Sequence, residues 1–437
     1  MNDFTRRTFV KGSTALAGIG MLSGSALFDW AKAWAQTAPW KPEAGAKINL
    51  MRWRRFVEAE DVAFMKMVSA FKAATGVDVN VVNESFDDIQ PKASVVANTG
   101  QGLDMVWGLY SLPHLFPQKC LDQTDVADYL GKKYGGWAPA AELYGKSGGK
   151  WIGIPVATTG GLMNYRVSSM QKAGFKEFPK DTASFLELVK ALKKNNTPAG
   201  FALGHASGDA NTWLHWALWS HGGQLVDKDD KVIINSPETA KALEFVKALY
   251  ENFIPGTASW NDSSNNKIFV SGDLHLTSNG ISVYVAAQKD NKAVADDMDH
   301  AYMPIGPVGK PTELHLAFPI LTFNFTKAPN ACKAFTAFML EAENYNPWVE
   351  AAQGYLSHFL NAYDNNPIWT SDPKRTPYRD VSKRTLTPGG LGSLGEKAAA
   401  AVADFIVVDM FANYATGRED VKGAIAVAER QAKRIYR

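Results

Sequence analysis

One stretch of this 437-residue chain decides how the rest can be arranged: residues 149–166, GKWIGIPVATTGGLMNYR. A strand needs only about five or six residues. An extended run this long, interrupted by Pro155, Gly160 and Gly161, therefore reads as one strand leaving one sheet and entering another. Proline fixes φ and removes a donor, and paired glycines permit angles and close approaches that a Cβ forbids. Such a crossing is a hinge between two halves; the competing reading is an ordinary buried strand with a bulge. The length suits two domains, each with its own core. With 46% hydrophobic and 21% charged residues, the chain is neither disordered nor fibrous.

Residues 1–35 read as a separate object. TRRTFVKG at 5–12 carries paired arginines, residues 13–27 are small and apolar, and Ala33-Trp34-Ala35 offers small residues at both positions of a cut. This is the pattern of a twin-arginine export signal, cut after Ala35, for a protein that folds before it crosses a bacterial envelope. A membrane anchor is the alternative, but the apolar stretch is short of the roughly 20 residues that span a bilayer, and Asp29 and Lys32 follow it. No later segment reads as a span. Without residues 1–35, basic and acidic residues balance, which removes the electrostatic footprint of nucleic-acid binding. The expected location is the periplasm. An oxidising compartment allows Cys120 and Cys332 to form a disulfide; the favoured reading is two separate small apolar residues.

The body opens as strand, helix, strand: 48–53, then 61–75 with Phe64, Met67, Val68 and Phe71 on one stripe before Gly76, then 77–82. That order marks a parallel sheet with crossover helices. A helix at 88–99 and a strand at 103–109 follow. After the hinge come a helix at 181–194, a short strand at 201–204, a tryptophan-rich helix at 211–221 and a Ser-Pro-Glu-started helix from 236. Residues 269–279 and 302–321 look extended, 329–340 helical, 364–395 irregular, and two helices, 396–414 and 419–436, close the chain.

Several motifs match a chemistry by letters and fail by context. GKSGG at 145–149 fits the nucleophile elbow but precedes a strand rather than a helix. GLGSLG at 390–395 fits the dinucleotide fingerprint but lacks the preceding strand. The histidines show no metal spacing, Asp227, Asp229 and Asp230 lack the rest of a calcium loop, and no carboxylate pair is singled out. No catalytic residue, metal or cofactor is expected. What remains is a surplus of tryptophan, 13 in all, against which sugar rings stack while Arg, Asn and Asp bond their hydroxyls. Most of these indoles belong to cores. Those at strand ends or helix starts are Trp53, Trp107, Trp213 and Trp260. Ligands in open α/β sheets gather at strand carboxyl ends, which adds Arg54, Arg55 and Tyr110.

AFKAATGVDVNV, GLDMVW, GKWIGIPVATTGGLMNYR, FPKDTASFLELVKALKK, SPETAKALEFVKALYE, FVSGDLHLTSNG and YMPIGPVGK together resemble the solute-binding proteins of bacterial ABC importers. The likeness is to the carbohydrate-type group that includes maltose-binding protein, and it covers essentially the whole chain after the leader. It implies an α/β, two-lobed periplasmic-binding-protein fold of type II, with a ligand cleft between lobes joined by hinge strands. The first lobe would take 36–157 and 314–343, the second 158–313 and 344–437. Carried over position by position, the cleft would comprise Trp53, Arg54, Arg55, Trp107, Tyr110, Thr158, Thr159, Trp213, Trp260, Asn279, Phe318 and Tyr355.

The function so implied is capture of a carbohydrate or polyol and its delivery to the membrane subunits of an ABC permease. The protein would be a monomer, exported by the twin-arginine translocase. Two departures from the family's usual sequence, His275 and Asn279 in FVSGDLHLTSNG and the length of 364–395, bear on which solute is bound. Arg54 and Arg55 favour an acidic ligand if they reach it. The rivals are an exported carbohydrate-active enzyme and a binding protein for a sugar acid, a phosphorylated polyol or a polyamine.

Overall fold

The computed structural model describes residues 24–437; Arg6, Arg7 and the remainder of the expected leader up to residue 23 lie outside the described residues. The first element is a helix, α1 (Gly24–Thr37), which packs on α2 (Glu58–Thr75). The expected cut after Ala35 therefore falls inside a helix that is part of the fold. The buried stripe of α2 carries the predicted Phe64, Met67, Val68 and Phe71, and its end is set by Gly76 at φ 77°, whose N–H returns to Lys72 O.

Strand β1 (Lys47–Trp53) pairs in parallel with β2 (Asp78–Glu84) and β3 (Met105–Trp107). The long run then splits at Gly160 and Gly161 into β4 (Ile154–Thr159) and β5 (Leu162–Arg166). β4 edges the first sheet, whereas β5 lies at the centre of a second, antiparallel one between β6 (Leu276–Asn279) and β7 (Met298–Ala301). β8 (Leu316–Thr322) returns antiparallel between β3 and β4, giving the order β2-β1-β3-β8-β4. The two glycines are required by close approach: a Cβ would stand 2.6 Å from Val381 Cγ1 at Gly160 and 2.4 Å from Thr212 Cγ2 at Gly161.

Helices cover both sheets. Those used below are α3 (Asp209–Ser220), α4 (Ser264–Ser271), α5 (Pro329–Met339) and α6 (Ala342–Ala351). The first lobe is cored by rings, with Phe64, Phe71, Phe335, Trp107 and Trp348 in contact. The second centres on Phe185, Phe201, Trp213, Trp216 and Phe253. Cys120 and Cys332 are buried and free.

Several local expectations are corrected. The stretch 269–279 begins as the end of α4, stopped by Gly272 at φ 96°, and becomes strand only at Leu276. The strand expected at 103–109 contracts to β3, and 201–204 forms no strand, Ala199 alone bridging to Phe253 and Leu276. Of 302–321, only Glu313–Leu314 and β8 are extended. Far from irregular, 364–395 holds the short helices Ile368–Ser371, Pro373–Tyr378 and Val381–Arg384, and Thr385–Leu386 pairs with Glu313–Leu314. The helix expected at 396–414 breaks into Glu396–Ala403 and Ile406–Ala415, because Phe405 takes φ 54°. By length and composition Glu396–Ala415 could cross a membrane, contrary to expectation, but the break and its burial, more than half inside the fold, make it a core element. Finally, α6 was expected in the second lobe and packs on the first, because Trp348 donates Nε1–H to Glu60 Oε1 at 2.6 Å and meets Phe64 and Trp107.

Candidate functional site

Where the two sheets face each other, the lobes enclose a small cavity of about 30 Å³, lined by Phe56, Phe86 and Leu316 from the first lobe, by Gly208, Asp209, Thr212, Asp262, Asn279, Gly280 and Ser282 from the second, and by Thr159, Gly161 and Tyr355 from the crossings. That is room for one or two water molecules, so the lobes are drawn close around it.

Two acids define its chemistry. Asp209 opens α3, and its Oδ2 accepts from the side-chain amides of Asn265 at 2.8 Å and Asn279 at 3.1 Å. Asp262 reaches across to the start of the same helix, where its Oδ1 accepts from the backbone N–H of Gly208 at 3.0 Å and of Asp209 at 2.8 Å. A carboxylate there answers unpaired N–H groups and the positive end of the helix dipole. Its other oxygen, Oδ2, is buried with no partner among the described residues. Burial pushes the Asp262 carboxyl up to about 7. Burial, then the charge of Asp262, raises Asp209 well above the usual carboxylate range. Asn279 is held by its neighbours: its amide donates to Asn265 Oδ1 at 2.8 Å and Asn266 Oδ1 at 2.6 Å, and its own Oδ1 accepts from Gly280 N–H at 2.6 Å.

The rings come from the other side. Phe56 and Tyr355 lie 6.2 Å apart and Tyr355 stacks on Phe318 at 6.0 Å. Trp53 meets Phe318 at 4.7 Å and Phe86 at 5.6 Å. Acceptors on one wall and ring faces on the other suit a compact molecule with hydroxyl or amine donors. No histidine, cysteine or lysine lines the cavity, and among the described residues no group of three or more His, Cys, Asp or Glu could hold a metal ion.

Of the twelve positions expected in the cleft, Thr159, Asn279 and Tyr355 line this cavity. Trp53, Trp107 and Phe318 form the layer beneath it, fully buried. Arg55 is pinned in that layer, its guanidinium 3.9 Å from the ring centres of both Trp53 and Trp107 and its Nε 2.9 Å from Glu60 Oε2. Burial, then the charge of Arg52, lowers its pKa to about 9. It is paired inside its own lobe rather than offered to a ligand. Arg54 points to solvent.

Tyr110 crosses between the lobes, donating to Gly208 O at 2.9 Å beside Thr212 Oγ1, and lines a neighbouring crevice with Phe86 and Phe405. Thr158 spends its hydroxyl on Leu316 O. Trp213 is a correction: its Nε1–H is bound to Ala202 O at 2.6 Å and its ring is buried against Phe201 and Phe253, because the helix turns this face to the core. Trp260 likewise packs over Gly200, whose missing Cβ makes the space.

Sequence reasoning missed Asp209, Asp262, Phe56 and Phe86. A usable signal was present. Asp209 is the one acid of its tryptophan-rich helix and stands at its start, and Asp262 sits in the cap-rich run NDSSNN at 261–266, whose side chains compete with the backbone and favour helix starts.

The family model described as bacterial extracellular solute-binding protein matches residues 66–377. A probable ABC transporter-binding protein of Deinococcus radiodurans is 23% identical over 265 residues, a stretch covering 56% of this chain and 61% of that protein. The putative ABC transporter periplasmic-binding protein YcjN of Escherichia coli is 22% identical over 419 residues, covering 90% of this chain and 93% of its own length. Among solved structures, maltose-bound MalE3 of T. maritima superposes with a TM-score of 0.78 at 18% identity, over 89% of this chain and 100% of that one, a likeness of fold.

Proposed function

Because the chain belongs to the bacterial extracellular solute-binding protein family, we propose that it captures a compact carbohydrate or polyol between its two lobes and hands it to the permease of an ABC importer. The observation that carries the choice of solute is the cavity wall of Asp209, Asp262, Asn279 and Thr159 opposite Phe56 and Tyr355. Carboxyls in one cavity with aromatic faces grip hydroxyls, and the buried Oδ2 of Asp262, without a partner among the described residues, is left for a ligand hydroxyl, accepting from it when ionised and donating to it when protonated. Entry of anything larger than water requires the lobes to part at the crossings near Gly160 and Gly161, and closure then couples binding to recognition by the permease. The division into lobes at the β4–β5 crossing, action as a monomer in the periplasm, and export by the twin-arginine pathway belong to the same proposal.

A second reading is favoured by the same acids: an amine-bearing solute, such as an amino sugar or a polyamine, would neutralise the pair. The neutral solute is preferred because Asp209 already accepts the side-chain amides of Asn265 and Asn279 and burial raises both carboxyls, which disfavours their charged forms. An acidic ligand loses its support with Arg55 paired to Glu60.

Titration of the protein against neutral sugars, polyols, sugar acids and polyamines, followed by tryptophan fluorescence, tests this. A saturable change with neutral hydroxyl compounds is expected. Saturation by amines alone would move the assignment to the second reading, and silence toward the whole panel would withdraw the solute class. Multiple turnovers of a glycan would replace the binding protein by an exported enzyme.

A further inference from the structure

We propose that helix α1 is a permanent strut of the first lobe, and that the export leader is cut N-terminal to Leu27 rather than after Ala35; this rests on the twin-arginine reading above. Three sets of contacts carry it.

The inner face of α1 is core. Ala31 is fully buried, and Leu27 and Trp34 are 8% and 6% exposed. Trp30 stacks on Phe338 at 5.3 Å, and Trp34 meets Phe338 at 5.0 Å and Phe71 at 6.4 Å, so the helix closes the seam between α2 and α5.

Its polar atom is also placed. Trp34 Nε1–H donates at 3.0 Å to Oε1 of Glu341, a carboxylate with no exposure that also accepts from Tyr129 and Tyr134 and pairs with Lys133. A disposable leader has no reason to complete a buried acid's hydrogen bonds from more than three hundred residues away.

The expected scissile bond is itself locked. Ala35 and Gln36 lie in the last turn of α1, and Lys41 Nζ donates to both carbonyls, at 3.0 and 2.8 Å. Hydrolysis at Ala35 would require water to add to the very carbonyl that Lys41 holds, in a backbone that is helical rather than extended. Twin-arginine cargo crosses folded, so the envelope peptidase meets this packed helix and not a loose chain. Upstream, Ser23 and Ser25 are small residues spaced for a cut after Ser25, in the first turn of α1 and ahead of Leu27, where its buried face begins.

The test is the intact mass of the full chain after export, recovered from the periplasm. A mass that lacks Arg6 and Arg7 but includes residues 27–37 is the expected result, and a mass beginning at Gln36, or that of the uncut chain, overturns the proposal. The Trp34→Ala variant of the same full chain is expected to yield a fraction cut after Ala35 and to lower the thermal midpoint by at least about 5 °C; wild-type processing together with a wild-type midpoint would show α1 to be dispensable. Failure of the export reading is seen separately. An Arg6→Lys, Arg7→Lys double variant that still reaches the periplasm at the wild-type level would overturn the export route, whatever the mature N-terminus proves to be.

Discussion

Asp262 caps the helix that Asp209 begins: its Oδ1 accepts the Asp209 N–H at 2.8 Å while its Oδ2 is buried without a partner among the described residues. One carboxylate thus holds the second lobe's helix with one oxygen and leaves the other for whatever enters. Asp262→Asn preserves the cap, because an amide oxygen accepts the same N–H groups, but replaces the unpartnered carboxyl oxygen, which can accept or donate, with an NH2 that can only donate. Affinity for a hydroxyl ligand should fall at least about tenfold, roughly 1.4 kcal/mol. The sign of the pH effect is set by the raised carboxyl. The folded pKa of about 7 lies above the ordinary value of 3.8, so the stability gained from its proton is fully present below about pH 4 and lost as pH rises through about 7. Thermal midpoints measured near pH 5 and near pH 8 should drop less in Asp262→Asn than in the wild type. Identical drops would show that Asp262 is not the group responsible.

Phe56 and Trp213 should separate binding from stability. Phe56 is partly exposed at the cavity, so Phe56→Ala is expected to weaken binding about tenfold while costing about 1 kcal/mol of stability or less. Trp213→Ala removes a fully buried ring and strands the Ala202 carbonyl, at a cost of about 3–5 kcal/mol. Urea unfolding and a fluorescence titration on both variants check this; a stable Trp213→Ala protein with lost affinity would return that indole to the site.

Among the described residues Glu60 is the only carboxylate in contact with Arg55, and it also binds Arg52 at 2.7 Å and the Trp348 indole. Glu60→Gln leaves the buried Arg55 charge without its counter-ion and Arg52 with Asp61 alone, at 3.7 Å; breaking a buried pair typically costs about 3–5 kcal/mol. The urea midpoint should fall accordingly; a change within about 1 kcal/mol would show that the arginines find another partner.

Gly161 faces Thr212 so closely that a methyl group would stand 2.4 Å from its Cγ2. Gly161→Ala should therefore hold the lobes apart and weaken ligand binding, and adding Thr212→Ser, which deletes the offending methyl, should restore it. X-ray scattering with saturating ligand is the readout. No rescue by the second substitution would mean that the glycine matters for backbone freedom instead.

The opening strand, helix and strand, the stripe on α2 and the Gly76 stop were legible because each obeys a local period or a local cap. The split of 149–166 between two sheets was legible because Pro155, Gly160 and Gly161 interrupt a run too long for one strand. The acid pair was not. Asp209 and Asp262 lie 53 positions apart in sequence, and only the fold brings one to cap the other's helix. Tryptophan misled for a different reason: Trp213 and Trp107 satisfy the composition of a sugar site equally well when turned inward, and the direction of a helical face near a crowded core is set by partners such as Phe201 and Phe253. The arginines after β1 were misjudged because Glu60, which claims Arg55, lies in the first turn of α2, where nothing in the local pattern sets it apart from the exposed acids beside it.

The place of β8 has a consequence for how the protein is made. It is an inner strand of the first sheet, between β3 and β4, yet a ribosome reaches its end only after roughly three-quarters of the chain has been synthesised. Until then β3 and β4 wait with open edges, and the chain between them and their partner must already have built the second sheet. Each lobe is thus finished with chain that has visited the other, so no single cut in the gene yields two self-sufficient halves. Recombination between relatives can exchange surface loops freely, but a lobe can be inherited only together with matched breakpoints at every crossing.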